Sequence, residues 1–142
     1  MTPPQGHYFE DLTVGQEATR STSVSDVVIV AFALLSGDHN PVHLNEAYAS
    51  QTLFKERIAH GMLSAAYISA VVGMDLPGPG AIYVSQTLNF KAPVKIGDTV
   101  VTTVTIVELM PKRRARFACR CAVNGTTVVE GEAVMMVPGR PA

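Results

Sequence analysis

One apolar segment constrains the fold of this chain more than any other feature. The stretch "HGMLSAAYISAVVG" begins at His60 and is apolar nearly all round until Gly73. A helix that is apolar on every face is predicted to be buried. The "PGPG" at residues 77–80 ends this helix, because proline cannot continue one. We therefore expect one long buried helix against which the rest of the chain packs.

The sequence after this helix predicts β-strands throughout. Residues 81–94 ("AIYVSQTLNFKAPV") alternate in polarity, and residues 97–110 are rich in Val and Thr. "RARFACRCAVNG" alternates charged and apolar residues and ends in Asn124-Gly125, a strong hairpin signal, before "TTVVEGEAVMMVP". Helices followed by strands indicate an α+β domain with an antiparallel sheet packed on the long helix.

The segment before the helix gives mixed signals. Residues 1–13 predict an extended lead-in, and residues 15–25 ("GQEATRSTSVS") predict a strand that enters a helix capped by Ser25-Asp26. The β-branched run at residues 27–30 is also typical of a strand, whereas "AFALLS" favours a helix that ends at Gly37. "NEAYASQTLF" predicts a further short helix.

Composition bounds the class of protein. A length of 142 residues favours a single domain over 1–142, and 47% apolar with 16% charged residues allows a sizeable core. So few charges predict that a second copy covers part of the apolar surface. Lys plus Arg total 11 against 12 for Asp plus Glu, so charge gives no reason to expect nucleic acid or an anionic membrane as partner.

Location follows from the same composition. No apolar run approaches the roughly 20 residues of a membrane span, and the start "MTPPQGHYFEDL" does not resemble a secretory signal. Cys119 and Cys121 are two apart on a predicted strand and so share one face. That spacing is weak evidence for a disulfide or for zinc, and it favours reduced thiols in a cytoplasmic protein.

The stretch "SGDHNPVHLN" carries the chemistry, with Asp38, His39, Asn40, Pro41 and His43 close together. Pro41 has no N–H and disfavours a helical conformation at Asn40, so the chain must bend there. The bend brings Asp38 and His43 toward one point. A carboxylate and an imidazole that share a site suit acid–base chemistry on one water molecule.

Other interpretations of this stretch stay open. Asp38 alone is more typical of a turn in which the side chain bonds the backbone, and His43 alone of a surface histidine. A metal site on His39 and His43 would need a continuous helix, which Pro41 interrupts, so we expect no metal. Burial beside "AFALL" would raise a carboxyl pKa and lower an imidazole pKa.

Gly61 lies where the buried helix begins. The first turn of a helix has unpaired backbone N–H groups and the positive end of the helix dipole. A glycine there lets a ligand oxygen approach the backbone, as in an oxyanion hole that stabilises an enolate formed from a thioester. A glycine needed only for tight packing is the alternative.

The longer stretch "FALLSGDHNPVHLNEAYAS" closely resembles the signature of the MaoC-like hydratase family, also called the hydratase 2 motif. "AHGML" and "YVSQTLNFKAPVKIGDTV" resemble the family's later blocks, so the similarity extends over residues 11–137. In length and pattern the chain is most similar to the stand-alone (R)-specific enoyl-CoA hydratases. The resemblance implies a hot-dog fold, with the sheet wrapped around the long helix. It also implies a homodimer whose two sheets join side by side, with substrate in a tunnel near the interface.

The resemblance also implies residue roles. Asp38 and His43 match the catalytic pair, Gly61 matches the glycine whose N–H receives the thioester oxygen, and Asn40 matches the residue that supports the turn. Three residues match positions that line the acyl pocket: Ser69, Val72 and Val134.

The implied reaction is reversible syn hydration of trans-2-enoyl-CoA to (R)-3-hydroxyacyl-CoA. It needs no metal or redox cofactor, because the thioester supplies the activation. A dehydratase acting on 3-hydroxyacyl-carrier protein, an acyl-CoA thioesterase and a non-catalytic acyl-binding module are the alternatives on this fold.

Overall fold

The computed structural model describes residues 4–142. Within these residues, a short 3₁₀ turn at Phe9–Asp11 precedes four α-helices and six β-strands. In chain order these are β1 (Glu17–Ser23), α1 (Asp26–Ser36), α2 (Pro41–Leu44), α3 (Glu46–Ser50), α4 (Gly61–Met74), β2 (Ile82–Gln86), β3 (Asn89–Phe90), β4 (Thr99–Met110), β5 (Arg114–Val123) and β6 (Thr126–Met136).

The strands form one antiparallel sheet in the order β1-β4-β5-β6-β2, with β3 also paired to β6. The hairpin between β5 and β6 turns at Asn124 and Gly125, as predicted. Both residues have positive φ, 49° and 80°, which a two-residue hairpin turn of this hand requires. The α+β prediction is therefore confirmed.

One predicted strand is wrong in its extent. Residues 81–94 do not form a continuous strand, because β2 ends at Gln86 and β3 spans only Asn89–Phe90. At this break the carbonyl of Thr87 lies against Gly131 of β6, in the space that a Cβ would occupy. Thr87 N–H still bonds the Glu132 carbonyl at 2.9 Å, so the strand bends but keeps its attachment to β6. Gly131 is what permits this close approach.

The long helix α4 packs against the sheet and forms the centre of the core. Its inward residues are fully or nearly fully buried: Leu63, Ser64, Ile68, Val71 and Val72. They face a layer of side chains from β4 and β5 that are 0–2% exposed: Val104, Ile106, Phe117, Cys119 and Cys121. This arrangement is the hot-dog fold.

The prediction that α4 is buried on every face is wrong for the single chain. Met62 and Met74 are 55% and 60% exposed, and Ser69 is also exposed. The reason is geometric: one sheet covers one side of a helix, so an apolar second side remains available to another surface.

The helix predicted after β1 is confirmed. Ser25 Oγ accepts the N–H of Val28 at 3.3 Å, and Gly37 ends α1 in the left-handed conformation with φ of 81°. The helix predicted over residues 45–54 is shorter, since α3 ends at Ser50. The extended lead-in contains the 3₁₀ turn, and its first three residues lie outside the described part of the chain.

The two cysteines are buried, free and on the same face of β5, as predicted. Cys121 Sγ lies 3.6 Å from the Ser64 carbonyl of α4, and burial raises the pKa of Cys119 to about 11. Within residues 4–142, no helix has the length and apolar character needed to cross a membrane.

Candidate active site

The motif loop bends where proline was expected to bend it. Asn40 has φ −52° and ψ 125°, and Pro41 is the first residue of α2, where its missing N–H costs nothing. Asn40 Oδ1 accepts the N–H of Val42 at 3.1 Å and so caps this helix. The bend leaves Asp38 before α2 and places His43 within it.

His43 is 8% exposed and held in one tautomer. Its Nδ1 lies 2.7 Å from the Ile58 carbonyl, which can only accept, so Nδ1 carries the proton. In the neutral ring, Nε2 is therefore a free acceptor. Burial lowers the pKa of His43, and His60 adds to the lowering, while the Ile58 bond and the Asp38 charge oppose it.

Asp38 combines two arrangements that the sequence left as alternatives. It is exposed in the single chain, and its Oδ1 accepts the Asn40 N–H at 3.1 Å, as in an Asx turn. One carboxylate oxygen of Asp38, one ring nitrogen of His43 and one of His60 also lie within 4.8 Å of one another. Two groups bonded to the same water are typically about 4.5 Å apart. A separation within 4.8 Å is compatible with one water molecule held by both the carboxylate and the imidazole.

The expectation that the "AFALL" segment forms an apolar wall beside Asp38 and His43 is wrong for most of its side chains. Leu34 and Leu35 of α1 point to solvent, at 71% and 85% exposed. Phe32 alone of the three largest side chains there approaches the site, with its ring centroid 4.9 Å from that of His60. The wall behind His43 comes instead from His60, whose ring stacks on it.

Gly61 is the first residue of α4, so its N–H has no acceptor within the helix. A Cβ on Gly61 would lie 2.8 Å from the ring of Phe90. Tight packing and an available N–H therefore occur at the same residue.

A cavity of about 320 Å³ opens at this point. Its polar end is formed by His43, His60, Gly61 and Ser64. The remaining wall is largely apolar and comprises Phe54, Ile58, Ala59, Phe90, Lys91, Ala92, Pro93, Val94 and Val129. An apolar ligand with one polar reactive end suits such a space.

The three predicted acyl-pocket residues are not brought together. Ser69 lines a second, more open groove of about 470 Å³ with Phe32, Met62 and Tyr83. Val72 is fully buried in the core, and Val134 lies on β6 opposite Arg116 of β5. Their roles stay predictions, as do those of Asp38, Asn40, His43 and Gly61.

Sequence reasoning missed Arg57 and His60. The Arg57 side chain is 14% exposed; its Nε donates to the His43 carbonyl and its Nη2 to Asp26 Oδ1, both at 2.7 Å. It thus ties α2 to the start of α1. The available signal was a charged residue just before "IAHG", in a region that must pack closely.

A sheet wrapped around one helix, with a carboxylate–imidazole pair at the head of that helix, defines a hot-dog protein equipped for acid–base chemistry. Residues 10–130 match the family model described as "MaoC like domain". The chain belongs to the MaoC-like family.

Relatives agree with this assignment. An (R)-specific enoyl-CoA hydratase from Rhodospirillum rubrum is 58% identical over 135 residues, which cover 94% of each chain. A 3-hydroxybutyryl-CoA dehydratase from Methylorubrum extorquens is 53% identical, over 92% of this chain and 84% of that protein. The structure of an unliganded R-hydratase from Pseudomonas aeruginosa superposes with a TM-score of 0.91 at 49% identity, covering 96% of this chain and 88% of that one.

Proposed function

We propose that this chain is a hydro-lyase that adds water to trans-2-enoyl-CoA and gives (R)-3-hydroxyacyl-CoA, reversibly. The observation that carries the proposal is the grouping of the Asp38 carboxylate with the His43 ring within 4.8 Å, together with the position of His43 in the wall of a mainly apolar cavity. The names of the relatives supply the coenzyme A thioester and the R configuration.

The geometry suggests how each group acts. Neutral His43, through Nε2, and the Asp38 carboxylate hold one water molecule. Its oxygen bonds to C3 while one of its protons passes to this pair, and a proton from the pair is delivered to C2 on the same face. Charge that develops on the thioester oxygen is stabilised by the Gly61 N–H and the positive end of α4. The thioester supplies the activation, so we propose no cofactor.

Replacing Asp38 with asparagine tests the proposal. The amide retains an oxygen for the Asn40 N–H, so the turn and the melting temperature should be preserved. Loss of the acid–base group should lower crotonyl-CoA hydration, followed by enone absorbance, by about 10²- to 10⁴-fold.

Asp98→Asn is the matched control, because Asp98 also accepts a backbone N–H, that of Lys95, within a turn. It should retain wild-type turnover. Near-normal hydration by Asp38→Asn would reject the proposed roles. Release of free thiol from acyl-CoA would indicate a thioesterase instead, and faster turnover of carrier-protein substrates would indicate the dehydratase.

We also propose a homodimer. Strand β2 is at the edge of the sheet, and its Ile82 and Val84 are exposed, as are Met62 and Met74 of α4. A second copy paired along β2 would cover both features. Sedimentation should give twice the chain mass of 15.1 kDa, and a monomer at micromolar concentration would contradict this. A cytoplasmic location is likewise a proposal, supported by the free buried thiols.

A further inference from the structure

His60 touches both members of the proposed acid–base pair, although the mechanism above gives it no role. It precedes α4 and is 3% exposed. Its ring stacks on that of His43, with centroids 3.9 Å apart and planes inclined by 29°. Its Nε2 lies 3.0 Å from the backbone carbonyl of Asp38, which can only accept, so Nε2 donates.

Packing alone does not account for a histidine at this position. The other ring nitrogen, Nδ1, is buried and has no hydrogen-bond partner among the described residues. A buried unpaired polar atom destabilises the folded state. A phenylalanine would fill nearly the same space, against the same Phe32 and His43 rings, without that loss. The hydrogen bond that His60 donates through Nε2 must therefore offset the cost of the unpaired Nδ1.

The hydrogen bond from His60 Nε2 fixes the position of the Asp38 backbone. The other hydrogen bonds of Asp38 are local. Its backbone N–H donates to Ser36 Oγ, and its Oδ1 accepts the N–H of Asn40. Both partners are two residues away, so they shape the turn but do not anchor it. The bond from His60 reaches across 22 residues to the head of the core helix.

We propose that His60 is a positioning residue that sets the separation between the Asp38 carboxylate and His43 Nε2. It does so by holding the Asp38 backbone with its N–H and the His43 ring with its face. This inference rests on the proposed hydration. His60 also acts on His43 electrostatically, because it contributes to the lowered pKa of His43, whereas the Asp38 charge opposes that lowering; Lys91 lines the same cavity.

Two substitutions separate the contributions. His60→Phe preserves the stacked ring but removes the donor and the orphan nitrogen. It should lower kcat about tenfold or more with little change in KM, since an error of about 1 Å in placement costs up to about 10²-fold. Its melting temperature should be unchanged or higher. His60→Gln places an N–H at a similar reach and should recover part of kcat.

The matched control is His7→Phe. His7 is half-buried and its Nδ1 also bonds a distant backbone carbonyl, that of Pro77, at 3.2 Å. Its kcat should equal that of the wild type. Wild-type kcat in His60→Phe would overturn the inference. A loss of kcat accompanied by a large fall in melting temperature, without recovery in His60→Gln, would also overturn it.

Titration of the His43 Cε1–H resonance by NMR tests the contact of His60 with His43 without any turnover. In His60→Phe the pKa of His43 should rise; an unchanged value would contradict the coupling. If the wild type hydrates no enoyl-CoA, the proposed function fails. The NMR comparison and the melting temperatures then still show whether His60 organises the pair.

Discussion

Replacing Asn40 with alanine distinguishes support of the turn from contact with the substrate. Asn40 caps α2, the four-residue helix that carries His43, through one bond from the Val42 N–H at 3.1 Å. Asn45 caps the next helix in the same way, accepting the Tyr48 N–H at 2.9 Å, but α3 carries no member of the proposed pair. The two asparagines are therefore matched in chemistry and differ in what they position.

The expected magnitude follows from the single bond that each substitution removes. Loss of an N-cap costs about 1 kcal/mol. For a chain of this size the melting temperature should fall by about 2–4 °C in both variants. About 1 kcal/mol corresponds to roughly a fivefold change in an equilibrium. If cap loss only frees α2, kcat of Asn40→Ala should fall by no more than about fivefold, and KM should be nearly constant.

The assay is hydration of crotonyl-CoA, with thermal unfolding measured on the same samples. Asn45→Ala should lose the same stability and retain kcat. Asn40→Ser should restore both stability and rate, since serine caps as well as asparagine. A kcat loss beyond about tenfold with a raised KM, not restored by serine, would refute the capping argument and indicate substrate contact.

Two further predictions concern pH and the head of α4. Burial lowers the pKa of His43 from its ordinary 6.5, so its ring stays neutral, with Nε2 able to accept a proton, at lower pH. The acidic limb of kcat/KM should therefore have its midpoint below 6.5. A midpoint above that value would contradict the proposed role of His43. Gly61→Ala should reduce kcat, because a Cβ there would lie 2.8 Å from the Phe90 ring and next to the N–H proposed to receive the thioester oxygen. If Phe90→Ala in the same chain restores kcat, packing is the role of Gly61; if not, access to its N–H is.

The fold was predictable where each pattern depends on local chemistry. Asn124-Gly125 needs positive φ at both residues, and Ser25 and Gly37 bound α1, so short motifs fixed these positions. The break between β2 and β3 was not predictable. It depends on the Thr87 carbonyl meeting Gly131, 44 positions further along, and neither residue alone indicates a bend.

The burial of α4 was predicted wrongly for a related reason. An all-apolar helix indicates burial, but the sequence does not state which surface covers each side. One side meets β4 and β5, and the side with Met62 and Met74 faces outward in the single chain. Polarity gives the amount of apolar surface, whereas topology decides what covers it.

The candidate site also has one part that the sequence predicts and one part that depends on the fold. The bend at Pro41 and the convergence of Asp38 with His43 follow from side chains in one short motif. What organises that motif is a second segment, residues 57–60, joined to it largely through backbone atoms. The Ile58 carbonyl fixes the tautomer of His43, the His43 carbonyl accepts from Arg57, and the Asp38 carbonyl accepts from His60.

A backbone carbonyl is present at every residue, so its use leaves no mark in the sequence. Three of the hydrogen bonds that set the geometry of the proposed acid–base pair have a backbone carbonyl as acceptor, so the sequence does not identify that partner. The side chains at the other ends, Arg57 and His60, are visible, but their meaning depends on the fold that brings them there. The proposed acid–base pair was therefore visible in the motif, whereas the side chains that contact it from residues 57–60 required the structure.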